Sequence, residues 1–324
     1  MNMTVWRWNV ALVIVIVSLA LGCVEGLYDK ESDPSYDDEL NNGGNNGGSG
    51  CAGRLNACGG CEALSSTPGA SCGSCGEYAC NGQNAVRCVE RSESLCAGMV
   101  EVPAGNFIRG SDVSSNEQPV STVYLDGYWI DETEVTVDAY AACVSAGTCS
   151  APGTGNYCNW GVSGRGSHPV NCVNWTQSDT YCRWAGKGLP TEGEWEKAAR
   201  GTDGRTYPWG EASPTCSYAV MGEGGLGCGQ DRTWPVGSKP AGASPYGAQD
   251  MAGNVWEWVS DRYSPSAYAD AGSMRNPEGP ISGSLRVERG GGFGNDDAGT
   301  RRAAARSHDD PAGANVLLGF RCAR

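Results

Sequence analysis

Histidine is nearly absent: the 324 residues contain two, His168 and His308. A zinc hydrolase centre or a histidine-rich iron centre needs several imidazoles, so both are excluded. Ser307-His308-Asp309-Asp310 is a local cluster whose members, adjacent in sequence, cannot all converge in triad geometry. It reads as a solvated turn before Pro311. No glycine-rich phosphate loop follows a strand and opens a helix, and Arg289-Gly290-Gly291-Gly292-Phe293 reads as a strand-end turn. Basic charge is also short, 23 Lys+Arg against 37 Asp+Glu for a net charge of −14. With no basic patch, nucleic acid is excluded as a partner. Long apolar runs are missing too. The run from Val10 to Leu21 is too short to span a bilayer as a helix.

That run, preceded by Arg7, reads as a leader over residues 1–22. It ends in Leu19-Ala20-Leu21-Gly22-Cys23, the pattern of a bacterial lipobox with Ala20 where Leu is usual. Cleavage before Cys23 and acylation of its thiol would tie the protein to a membrane through lipid. An ordinary secretory leader with Cys23 incidental is the alternative, and both predict export. Val24, not aspartate, follows the cysteine, which by resemblance to enteric lipoprotein sorting implies the outer membrane of the cell envelope. Residues 23–50 carry seven acids against one base and run into an Asn/Gly repeat. So little apolar surface cannot offset the entropy of ordering, so this segment is a tether.

Cysteine is abundant. Without Cys23, sixteen remain, eight in 51–96 and eight beyond. Even counts in an exported chain predict two self-contained disulfide sets. Cys58-x-x-Cys61 and Cys72-x-x-Cys75 have zinc-ribbon spacing. Four more cysteines within the same block and an oxidising compartment favour a disulfide module over 51–96.

Residues 97–324 hold nine of the eleven tryptophans and are long enough for one domain with its own core. Alternation from Met99 predicts a strand, and the segment from Val123 predicts two more, bent at Asp126-Gly127. Three helices are expected. They are Val137–Ala146 with Tyr140, Cys143 and Val144 on one face; Gln177–Ala185, capped by Thr176, with Tyr181, Trp184 and Ala185 buried; and Glu192–Arg200. In the last, Thr191 and Glu194 form a capping box, and Trp195, Ala198 and Ala199 point inward. Beyond Gly201, short strands between long loops are expected.

The stretch Asp250–Asp261 is the densest in signals. Gly253-Asn254 is a turn pair, after which Val255, Glu257 and Val259 face one way and Trp256 and Trp258 the other. Asp250 and Glu257 bracket the turn, and their carboxylates with the intervening carbonyls suit a hard cation such as calcium. The alternative is an Asx-type turn at Asp250, with Glu257 paired to a C-terminal arginine.

Five motifs stand out: GLPTEGEWEKAARG at 188–201, GNVWEW at 253–258, RGGGF at 289–293, RRAAARS at 301–307 and LGFRCAR at 318–324. Together they resemble the sulfatase-modifying-factor, or formylglycine-generating-enzyme-like, family over about 99–324. The resemblance implies an α+β, C-type-lectin-like fold with few helices, many short strands and long loops. It also implies two copper-binding thiols just after the Arg-Gly-Gly motif. Here Asn295 and Thr300 stand at those positions, Gly292 replaces a serine, and the segment to Arg306 is about two residues shorter. Copper(I) requires soft thiolates that amide and hydroxyl oxygens do not replace, so copper and formylglycine generation are not expected. The family's calcium ligands fall on Asp250, Gly253, Val255 and Glu257. The remaining polar residues, Asn295, Asp296, Asp297, Arg301, Arg302 and Arg306, suit either a peptide, protein or glycan ligand or mutual salt bridging. Two functions are therefore expected: a calcium-stabilised binding or envelope module, or an oxidoreductase using non-cysteine residues in the same pocket.

Overall fold

The computed structural model describes residues 96–324 throughout and, before them, the backbone of three short strands. The expected leader, Cys23, the tether and most of the 51–96 block lie outside the described residues. The three strands are β1 (Ser71–Cys72), β2 (Gly76–Cys80) and β3 (Val86–Glu90), antiparallel in that order.

Four strands open the larger part: β4 (Met99–Val102), β5 (Gly105–Arg109), β6 (Ser121–Leu125) and β7 (Tyr128–Asp131). Asp126-Gly127 separates β6 from β7, where the sequence places a bend. β4 pairs with β7, and β5 with β6, both antiparallel.

Helix α1 (Val137–Ser145) is capped by the Thr136 side chain and buries Tyr140 and Cys143. Helix α2 (Trp175–Trp184) starts two residues earlier than Thr176 capping would allow. Its cap is Asn174, which accepts from the Gln177 amide while the Gln177 side chain accepts from the Asn174 amide. A reciprocal pair satisfies two orphan donors, which one threonine hydroxyl does not. The buried face of α2 is Ser178, Tyr181 and Cys182, and Trp184, in the last turn, is 40% exposed instead of buried. Helix α3 (Glu192–Arg200) has the expected capping box, and Trp195, Ala198 and Ala199 are fully buried. A four-residue turn, α4 (Leu226–Gly229), follows.

The last sheet contains β8 (Trp256–Arg262), β9 (Arg286–Arg289), β10 (Ser307–Asp309) and β11 (Leu318–Phe320), in the order β10-β9-β8-β11. Ser307–Asp309 is thus a strand, not a solvated turn, because its backbone pairs with β9. β11 runs parallel to β8, and the other pairings are antiparallel. The alternation of β8 divides two cores. Val259 packs with Trp195, Met251, Ile130 and Phe107, whereas Trp256 and Trp258 pack with Tyr140, Tyr181, Leu318 and Phe320. Each such side chain removed from water stabilises the fold by about 1.5–3 kcal/mol.

The stretch after β11 joins separate parts. Cys322 accepts from the Asp131 amide, Ala323 bridges Ile130 and Gly188, and Cys182–Cys322 ties it to α2. The other disulfides are Cys143–Cys149, Cys158–Cys172 and Cys216–Cys228. All eight cysteines beyond residue 97 are therefore paired among themselves, as expected. Among the described residues no helix is long and apolar enough to cross a membrane.

Candidate functional site

The turn before β8 adopts the conformation its residues favour: Asp250, Gly253 and Asn254 all have positive φ (56°, 89° and 59°). A Cβ at Gly253 would press on the Val220 backbone, so the turn needs glycine there. Glu257 projects into the fully buried face of β8. Arg321 donates to both its oxygens at 2.7 Å, and Trp195 Nε1 donates to Oε2 at 2.8 Å. The pairing of Glu257 with a C-terminal arginine, one of the two sequence readings, is therefore present.

Asp250 Oδ2 accepts from the Gly237 amide at 2.6 Å. A third buried carboxylate, Glu134, accepts from Asn254 Nδ2 at 3.2 Å and the Val255 amide at 3.4 Å. Burial, then Asp250 and Glu257, push Glu134 well above the usual carboxylate range. Burial likewise raises Asp250. Three buried carboxylates thus face one guanidinium, Arg321, an excess of negative charge that a proton or a cation would offset. Sequence spacing could not reveal Glu134, which is 116 residues before Asp250.

Among the described residues no three His, Cys, Asp or Glu side chains are arranged to hold a metal. A calcium ion at this turn would therefore take carbonyls beside Asp250 and Glu257. That donor set is chemically suitable, since it is all hard oxygen. Glu257 Oε2 already has two donors, but Oε1 has one and keeps a lone pair.

The loop after β9 holds the other predicted residues. Gly290 and Gly291 have positive φ (97° and 78°), so the chain turns as expected at the strand end. A side chain at Gly292 would meet Leu317 and the Trp256 ring at 3.1–3.3 Å, leaving little room for serine. Asn295 Oδ1 accepts from the Gly292 amide at 2.9 Å and Trp256 Nε1 at 3.1 Å. Thr300 donates to the Asp297 carbonyl, and Asp297 caps a short 3-10 turn by accepting from the Gly299 amide. Asp296 and Asp297 are exposed.

The three arginines separate. Arg301 is fully buried and donates to the Asn295 and Asp297 carbonyls and the Thr300 hydroxyl; its Nε has no partner. Burial lowers it to about 10, against the pull of Asp297 and Asp296. Arg302 instead holds Glu117 with two bonds of 2.7 Å, and Arg306 holds Glu192 at 2.6 and 2.8 Å. Asn295, Asp297, Thr300 and Arg301 therefore come together, while Arg302 and Arg306 are drawn into salt bridges, one of the two expected uses. A cavity of ≈ 740 Å³ between Ser264 and Ser282 shares no residue with this loop.

His168 is buried and bonded to Thr233 at 2.9 Å, and burial, then Arg165 and Arg232, lower it to about 4. His308 stacks on Tyr263 at 3.9 Å.

Residues 85–324 match the family described as the sulfatase-modifying factor enzyme 1-like domain. The chain belongs to this family. It is 36% identical over 282 residues to a formylglycine-generating enzyme of Streptomyces coelicolor, covering 70% of this chain and 88% of that one. It is 32% identical to a hercynine oxygenase of Mycolicibacterium smegmatis, covering 69% and 60%. Among solved structures, PvdO from Pseudomonas aeruginosa superposes with a TM-score of 0.60 at 25% identity, covering 70% of this chain and 93% of that one. Treponema denticola variable protein 1 gives 0.55 at 28%, covering 69% and 94%. The sulfatase-modifying-factor fold is thus an α+β fold here, with few helices and many short strands.

Proposed function

We propose that this sulfatase-modifying-factor domain does not generate formylglycine and serves as a binding module of the cell envelope. The observation that carries this is the state of its sulfur: Asn295 and Thr300 occupy the expected thiol positions, and all eight cysteines of 97–324 are in disulfides. Among the described residues these disulfides leave no free thiolate to hold copper or attack a substrate. The Asn295 side chain instead braces the loop against Trp256.

The chemistry left facing solvent is anionic. Asp296, Asp297 and Glu223 are exposed, while Arg301, Arg302 and Arg306 are committed to partners inside the protein. This favours a cationic peptide segment as ligand over a small anion. Calcium at Asp250, Gly253, Val255 and Glu257 belongs to the same reading as a structural support, offsetting the carboxylate excess at Glu134 and Asp250. Export and lipid anchoring through Cys23, as the leader suggests, would place the module at the envelope.

The test uses the purified chain without its leader. Metal content should show calcium near one equivalent and no copper, and a cysteine-containing peptide should cause no oxygen uptake. An oligolysine peptide should bind more tightly than oligoglutamate of equal length, weakening as salt rises. Asp296→Asn should weaken that binding about three- to tenfold, as expected for about 1 kcal/mol from one exposed charge. Oxygen uptake with bound copper or iron, or equal affinity for the two peptides, would overturn the reading.

A further inference from the structure

The four disulfides beyond residue 97 differ in exposure. Both cysteines of three pairs are buried: Cys143 and Cys149, Cys158 and Cys172, Cys182 and Cys322. Cys216 and Cys228 are only half-buried. Cys216 Sγ lies on the outer side, 3.6 Å from the Glu223 carbonyl, and Cys228 Sγ lies deeper, 3.5 Å from the Ala219 carbonyl. Exchange requires a thiolate to reach a disulfide sulfur, so access separates this pair from the others.

The segment this disulfide closes lies on the loop that carries Asn295. The Gly222 amide donates to the Asn295 carbonyl at 2.6 Å, and the Gly227 amide to the Phe293 carbonyl at 2.9 Å. Leu226 sits where a side chain at Gly294 would begin, 3.5 Å from that position. Left-handed backbone recurs through this segment and just past it. Gly225, Gly227, Cys228, Gly229 and Asp231 all have φ between 52° and 116°, and Cys228 and Asp231 pay a steric penalty there that glycine does not.

We infer that Cys216–Cys228 is a reducible latch, which keeps residues 217–231 closed over the Asn295 loop and releases them by thiol–disulfide exchange. The co-reactant is a dithiol reductant. Its thiolate attacks Cys216 Sγ, forming a mixed disulfide as Cys228 leaves as a thiolate and takes a proton. The reductant's second thiol then displaces Cys216, so two electrons and two protons pass to the protein and the reductant ends as a disulfide. Once the link is cut, the left-handed run is free to relax, and the bonds to Asn295 and Phe293 lose their tether. The latch regulates the surface proposed above as a binding site, but its test requires no ligand, so each can fail without the other.

The folded chain is treated with increasing dithiothreitol, free thiols are trapped with iodoacetamide, and labelled cysteines are located by mass spectrometry. Cys216 and Cys228 should be labelled at least tenfold faster than the other six cysteines beyond residue 97. Limited proteolysis of the same samples should show new cuts within 217–231 as that label appears. The Cys216→Ser/Cys228→Ser variant should be cut there without reductant, whereas Cys143→Ser/Cys149→Ser should not. Labelling no faster than in the buried pairs, or reduction without new cuts in 217–231, would overturn the latch. The labelling order is read on the natural sequence, so it decides the matter even if a variant fails to fold.

Discussion

At the residue scale, Glu257 and Arg321 are the most consequential pair. Both are fully buried, and each oxygen of the carboxylate accepts from a nitrogen of the guanidinium. Removing one partner leaves a buried charge without compensation, which typically costs about 3–5 kcal/mol. Arg321→Met and Glu257→Gln should each lower stability by that order in urea unfolding. The double variant should lose less than the sum, because neither charge is left alone. Full additivity would show that the pair does not interact as drawn. The sequence contained both readings of Glu257, yet spacing could not choose between them. The arginine pairing is supplied by Arg321, 64 residues away, with Trp195 from α3 beside it.

At the element scale, disulfide position matters more than disulfide number. Cys182–Cys322 spans 140 residues and joins α2 to the stretch beyond β11, while Cys143–Cys149 spans six. By chain entropy, cross-links of these spans stabilise by about 5 and about 2 kcal/mol respectively. Replacing Cys182 and Cys322 with serine should therefore lower the unfolding midpoint clearly more than replacing Cys143 and Cys149. Equal losses would show that local packing, not chain restriction, sets their worth. The elements themselves were largely legible. The Asp126-Gly127 bend, the α3 capping box and the two faces of β8 are local signals, and each is present. The misread elements were settled by contacts local pattern does not contain. Asn174 displaced Thr176 as a cap by pairing with Gln177, and Ser307–Asp309 became a strand because β9 was available as a partner. The Arg301, Arg302 and Arg306 run looked like one cluster, but its members find carbonyls, Glu117 and Glu192 in three directions.

At the scale of the whole molecule, buried acids give stability a pH slope. Burial, with Glu192 beside it, pushes Asp261 up to about 7, and burial, with Asp309 beside it, does the same to Glu288. In an unfolded chain these carboxyls ionise near 4. Between those values the native state keeps protons that the unfolded state has lost, so this contribution favours folding below about pH 4 and is lost as pH rises to about 7. Asp261→Asn with Glu288→Gln should therefore flatten the fall in unfolding midpoint between pH 4.5 and 7 relative to the natural sequence. An unchanged slope would place the titration elsewhere. The stretch 318–324 has a consequence for how the protein is made. It pairs with β8, bridges Ile130 and Gly188, and supplies Arg321 to the centre of the domain, so it is needed by segments synthesised long before it. A growing chain cannot close these contacts until residues 318–324 have been made, so the final packing of segments as early as Ile130 waits on them.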